Sequence, residues 1–216
     1  MTAVTPVLEA RDLTFGYVPG RPVLQGWDAQ FLAGSTTALT GPSGRGKSTL
    51  LYLLGLMLQP SSGEVAVDGV TASAGRDAPR AHLRARRFGF VFQDAALDAS
   101  RTVLDNVTET ALYRGMPRRA VDAEARELLE RFGVDVPPNR KPGQVSGGQA
   151  QRIALCRALL GAPGILLADE PTGNLDPATS AVVVDALREH AATGATVVVV
   201  THSPEVAAAC DREIGL

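Results

Sequence analysis

Gly41-Pro42-Ser43-Gly44-Arg45-Gly46-Lys47-Ser48-Thr49 is the stretch that decides the fold. Gly41, Gly44 and Gly46 permit tight turns and close approach of the main chain, so that successive N–H groups converge on an anion, and a helix starting after them adds its positive end. Lys47 is placed to neutralise terminal phosphates. Ser48 offers a hydroxyl for Mg2+, and Thr49 supports the α-phosphate or the helix start. Ser35 to Thr40 reads as the strand feeding this loop, and Ser48 to Leu58 begins the helix leaving it. Strand, glycine loop, helix is the context a phosphate-binding loop requires. The plain alternative is a flexible glycine loop with an accidental Lys-Ser pair. Against it, the chain has just two lysines, Lys47 and Lys141.

The remaining composition is that of an ordinary globular chain. Its 216 residues suit a single domain, 45% hydrophobic and 20% charged, with a formal charge of −2. No concentrated basic tract exists, so affinity built on a nucleic-acid backbone is not expected. The longest apolar run, Leu50 to Leu58, has nine residues, well below the roughly 20 that span a bilayer as a helix. The first residues lack the features of a secretory signal, and the expectation is a cytoplasmic protein. Cys156 and Cys210 fit no metal-ligand spacing and read as reduced, small apolar residues.

Outward from the loop, Val7 to Tyr17 and Val23 to Leu32 have strand character and flank the turn residues Pro19-Gly20, an antiparallel opening. Glu64 to Val67 and Phe88 to Phe92 are further strands, separated by a Gly-, Ala-, Pro- and Arg-rich interval from Ser73 to Arg87. Asp122 to Phe132 carries helical periodicity, and the stretch from about 95 to 142 reads as a mainly helical lobe inserted in the nucleotide-binding sheet. Ser146 to Leu160 is a loop followed by a helix, Ile165 to Ala168 a buried strand, and Pro177 to Ala192 a helix. The β-branched run Thr196 to Val200 is a central parallel strand. His202 lies just past its C-terminal end, where open α/β sheets bind ligands. The fold class is therefore α/β with a mainly parallel core sheet, an antiparallel part and an inserted helical part.

Two acids follow the buried strand. Asp169 is placed to hold Mg2+ opposite Ser48, and Glu170 to reach the side of the γ-phosphate where attacking water stands. A second anion-binding element, Ser146-Gly147-Gly148-Gln149, opens a helix, where Ser146 caps it and the glycine amides face an anion. Its natural use is to close over nucleotide held by another copy; an internal cap beside a flexible turn reads nearly as well.

Taken together, Gly41 to Thr49, Gln93, Ser146 to Gln149, Ile165 to Glu170, Asn174-Leu175-Asp176 and His202 resemble the ATP-binding-cassette ATPases, over almost the whole chain. The resemblance implies a P-loop NTPase fold and Mg2+-dependent ATP hydrolysis by two cassettes that sandwich two ATP molecules head to tail. Ser146, Gly147, Gly148 and Gln149 would then complete the site whose Lys47 and Glu170 come from the opposite copy. Tyr17 matches the aromatic position that stacks on adenine, and Gln93 the glutamine that senses magnesium and water. Asp176 matches an interface aspartate that orders the opposing site, and His202 the switch histidine at the γ-phosphate. Read alone, these four would be an ordinary aromatic, a loop glutamine, a helix-capping Asp before Pro177 and a satisfied loop histidine.

The run Ala168-Asp-Glu-Pro-Thr-Gly-Asn-Leu-Asp176, with Phe88-Gly-Phe-Val-Phe-Gln93 and Asp105-Asn106-Val107, is similar to the branch containing lipoprotein-release, macrolide-export and related peptide-export ATPases. That likeness implies a homodimer serving a separate integral membrane permease from the cytoplasmic face, with transported substrate contacting the permease; the alternatives are a soluble ABC-type assembly factor, such as an iron-sulphur cluster assembly ATPase, and a cell-division ABC ATPase regulating wall hydrolysis. Departures from the branch pattern are Arg45 for a small residue, Ala150 for a second glutamine, Ser203 for an acid after the switch histidine, and Leu97-Asp98-Ala99 in the partner-facing segment. Many relatives continue with another strand and turn beyond Leu216.

Overall fold

The computed structural model describes residues 5–216. In chain order its elements are β1 Leu8–Phe15, β2 Leu24–Phe31, β3 Ser35–Thr40, α1 Lys47–Leu54, β4 Ser62–Val67, β5 Val70–Thr71, α2 Asp77–Arg87 and β6 Phe88–Val91. There follow α3 Val103–Tyr113, α4 Asp122–Arg131, α5 Gly147–Leu159, β7 Ile165–Asp169, α6 Pro177–Ala192, β8 Thr196–Val200, α7 Pro204–Ala208 and β9 Arg212–Gly215. Two sheets result, an antiparallel one in the order β2-β1-β4-β5 and a parallel one in the order β6-β7-β8-β3-β9.

β8 lies in the middle of the parallel sheet, and every one of its residues is buried. Because successive side chains of a strand point to opposite faces, β7 and β8 feed two cores. Ile165, Leu167, Val198 and Val200 join the cluster around α1 and the antiparallel sheet, whereas Leu166, Ala168, Val197 and Val199 join the cluster around α3, α4 and α5. A continuous apolar run is what such a two-faced strand demands.

Three departures from the sequence reading have local causes. The helix after the glycine loop stops at Leu54, before the expected Leu58. Gly55 sits where a Cβ would fall 2.5 Å from the Phe90 ring, and Leu56 has φ 59°, so the chain turns under β6 instead of continuing. Within the Gly-, Ala-, Pro- and Arg-rich interval lies α2. Its Pro79 falls in the first turn, where a missing N–H costs nothing, and Asp77 at its start with Arg84, Arg86 and Arg87 at its end suit the helix dipole. Beyond α7, β9 adds an unanticipated edge strand parallel to β3. Asp211 fixes it by accepting from the Thr36 N–H and hydroxyl, both at 2.8 Å.

The register brings the C-terminal ends of the parallel strands to one edge. Val91 pairs with Ala168, Asp169 with Val200, and Leu39 with Val200. Gln93, Glu170, His202 and the loop after Thr40 all emerge there. Among the described residues no helix is long and apolar enough to cross a membrane.

Candidate active site

The loop between β3 and α1 runs through three left-handed glycines, with φ 137° at Gly41, 78° at Gly44 and 89° at Gly46. The crowding differs among them. A Cβ on Gly46 would fall 2.6 Å from Val23, whereas one on Gly44 would meet nothing within 4 Å. Gly44 faces open space with Pro42, Ser43 and Arg45 exposed beside it, leaving room for phosphate oxygens. The Lys47 ammonium donates to the carbonyls of Gly41 at 2.7 Å and Pro42 at 3.0 Å, which poises it across the loop mouth. Thr49 is buried, and the Tyr17 hydroxyl lies 3.2 Å from its Oγ1. The Tyr17 ring stands edge-on to Phe15 at 5.0 Å and is 63% exposed. Tyr17 thus reaches the start of α1 by its hydroxyl and keeps its face free.

Asp169 ends β7 only 1% exposed, and its Oδ1 has no hydrogen-bond partner. Burial pushes its carboxyl above the ordinary value; Ser48 hydrogen bonding lowers it, adjacent Glu170 raises it and Lys47 lowers it. A buried anion with an orphaned oxygen beside a hydroxyl calls for a cation. Mg2+ is held by one or two carboxylates plus substrate phosphates, without an all-protein cage, and among the described residues no group of three acids, histidines or cysteines gathers as such a cage. Ser48 and Asp169 therefore fit the ion, and Gln93 follows the end of β6, the strand paired with β7. Bound there, Mg2+ would neutralise charge on the phosphoryl oxygens.

Glu170 has φ 47° immediately before Pro171. A non-glycine residue persists in that region only when its surroundings over-determine it. Its N–H donates to Val200 O at 2.9 Å and its carbonyl accepts from Gly173 N at 3.1 Å. This kink turns the carboxylate towards His202, whose Nδ1 lies 2.7 Å from Glu170 Oε1. Glu170 is 12% exposed and His202 73%. A sheltered acceptor therefore lies under a mobile-length imidazole that can reach an outside ligand.

Ser146, Gly147, Gly148 and Gln149 form a separate surface. Ser146 Oγ accepts from Gln149 N at 3.2 Å while Gln149 Oε1 accepts from Ser146 N at 2.9 Å, a reciprocal helix cap on α5. Gly147 faces open space, and a Cβ on Gly148 would approach Leu175 at 3.4 Å. Among the described residues no hydrogen bond or ion pair joins this element to Gly41–Thr49. Asp176 caps α6, accepting from Thr179 N at 3.0 Å and Thr179 Oγ1 at 2.6 Å, and these bonds hold its carboxyl below the usual range. Of the cysteines, Cys156 is buried with its thiol pushed up to about 12 by desolvation, and Cys210 is half-buried. Both behave as apolar filling.

Sequence reasoning passed over Arg157 and Gln151. Both are buried in α5, and both bond to the main chain around Phe92 to Ala96. The available signal was an arginine inside the apolar run Ile153 to Leu160.

The sequence model of the ABC transporter family matches residues 24–173. The chain belongs to the ABC transporter family. Its relatives include the lipoprotein-releasing system ATP-binding protein LolD of Cereibacter sphaeroides, 43% identical over 212 residues that cover 94% of this chain and 93% of that protein. The macrolide export ATP-binding/permease protein MacB of Nitrosomonas europaea is 41% identical across 99% of this chain, which spans 33% of that larger protein. Among solved structures, the dimeric ABC transporter cassette MJ0796 superposes with a TM-score of 0.91 at 34% identity, covering 97% of this chain and 94% of that one. This ABC cassette is a Mg2+-dependent ATPase.

Proposed function

We propose that this cassette is the ATP-hydrolysing subunit of a complex of the lipoprotein-releasing kind, working as a homodimer on the cytoplasmic face of a separate integral membrane permease. The observation that carries the reading is the Glu170–His202 contact at 2.7 Å, set beside the orphaned Asp169 oxygen and the Lys47 loop at one sheet edge. Lys47 neutralises the terminal phosphates, and the Gly41–Thr49 amides and hydroxyls cradle them. Tyr17 stacks on adenine. Ser48, Asp169 and Gln93 hold the magnesium side. Glu170 accepts a proton from the attacking water, and His202 holds Glu170 in place while contacting the γ-phosphate.

The opposite copy supplies Ser146, Gly147, Gly148 and Gln149 to the γ-phosphate, and Asp176 orders that shared interface. The exposed, capped start of α5 supports this division, since a helix N-terminus with free glycine amides suits an anion. Residues from about 95 to 142 form the helical lobe that faces the permease.

The decisive experiment uses the Glu170→Gln variant, tagged and isolated in mild detergent from its native membrane with Mg-ATP. Its hydrolysis is expected to fall by about 100-fold or more with ATP binding intact, and an integral permease is expected among the recovered partners. Normal turnover would remove Glu170 from its role, and recovery of soluble scaffold proteins alone would reject the permease assignment.

A further inference from the structure

Phe92 immediately precedes Gln93, and three elements meet on its ring. Tyr52 of α1 lies 6.3 Å from it, Phe90 stacks on it at 5.9 Å and 11°, and the Arg157 guanidinium of α5 stands 6.0 Å from its centroid. Arg157 is 7% exposed. Its Nη1 donates to Ala96 O at 2.7 Å and its Nη2 to Ala95 O at 2.8 Å, while Gln151 Nε2 donates to Phe92 O at 3.4 Å. Among the described residues no carboxylate lies within ion-pair distance of Arg157; main-chain carbonyls receive the buried guanidinium.

Those carbonyls belong to an unusual turn. Ala95 has φ 61° and Ala96 φ 44°, two successive alanines in the left-handed region, where a Cβ is unfavourable. A planar guanidinium with a fixed fork of donors is suited to hold such a turn, because it fixes both carbonyls at once. The helix it projects from begins at Ser146, and a helix moves as a rigid body. Any tilt of α5 at its N-terminus is therefore delivered through Arg157 to the segment carrying Gln93.

We propose that Arg157 is a positioning residue that makes the Gln93 turn travel with α5, so that seating of Ser146–Gln149 on the partner's nucleotide sets Gln93 in the subunit's own site. The inference rests on the roles proposed above for Gln93 and Ser146. It assigns a direction to the coupling, from the shared interface to each subunit's own magnesium side.

The test is a double-mutant cycle on the full-length chain with Arg157→Lys and Gln93→Ala, reading kcat, KM for ATP and thermal midpoint. Lysine keeps the charge and loses the two-carbonyl grip, so kcat is expected to fall about tenfold with KM changed less than about twofold. In the Gln93→Ala background the same substitution is expected to change kcat little. Multiplying effects on kcat, with Gln93→Ala itself impaired, would overturn the coupling and leave the site reading standing. A Gln93→Ala variant with normal kcat would overturn both. If Arg157→Lys unfolds, amide exchange on the Glu170→Gln chain decides the matter. Peptides covering 92–98 and 146–152 are expected to gain protection with the same Mg-ATP dependence, and independent responses would overturn the proposal.

Discussion

Replacing Asp169 by Asn is expected to stabilise the nucleotide-free chain while removing its response to magnesium. Asp169 is 1% exposed with Oδ1 unpartnered, and burial is the largest influence on its raised carboxyl pKa. An asparagine of the same shape retains an acceptor for Ser48 and removes the buried charge, though its amide must also be desolvated. The difference is worth about 1–2 kcal/mol, or a rise of roughly 2–8 °C in the midpoint of a chain this size. Because the native carboxyl lies above its ordinary 3.8, the native state holds that proton more tightly than the unfolded chain. The stability gap between variant and parent is thus full at neutral pH. It narrows as pH falls through the raised native value and closes below 3.8. Adding Mg-ATP should reverse the order, since a ligand bound by the native state alone stabilises it by mass action and the variant has lost a ligand to the ion. Scanning calorimetry of both proteins, with and without Mg-ATP, reads the crossover. A variant less stable without ligand at neutral pH, or equally stabilised by Mg-ATP, would refute the reasoning.

Tyr17→Ala should raise KM for ATP by about tenfold with little change in kcat, whereas Tyr17→Phe should stay near the parent, because base stacking contributes roughly 1–3 kcal/mol and the Thr49 contact is a single 3.2 Å bond. Equal losses in both variants, measured by steady-state kinetics, would assign the effect to the hydroxyl instead. Ser146→Ala removes the cap on α5, for about 1 kcal/mol of stability, and should abolish the Mg-ATP-driven dimer of the Glu170→Gln chain in sedimentation while leaving ATP binding by the monomer intact. A dimer of unchanged affinity would count against the contact across the interface.

Much of the site was legible because its residue types are forced by chemistry at fixed spacing. Gly41 to Ser48 announces itself, since few other sequences bring converging amides, an ammonium and a hydroxyl to one helix start. β8 was readable for a different reason: five buried positions in succession leave little but β-branched residues. The helix α2 was hidden by composition, as Pro79 and a row of arginines resemble a loop until the dipole-matched ends are seen. β9 was hidden because its short strand is held by pairing with β3 and by the bonds of Asp211 with Thr36, 175 residues away in the chain. Roles that depend on what α5 touches, such as those of Arg157 and Gln151, involve partners 59 to 62 residues away, beyond any local pattern. The Glu170 kink is likewise a property of the β7–β8 pairing that receives its N–H.

The paired left-handed alanines at 95 and 96 have an evolutionary side. Glycine takes that conformation without strain, and an alanine codon is one base from a glycine codon. A single nucleotide change would therefore loosen the turn without touching a phosphate, a metal ligand or the guanidinium that grips it. Lineages sharing every residue of the site would then have a graded way to retune turnover, each to its own permease, through backbone stiffness alone.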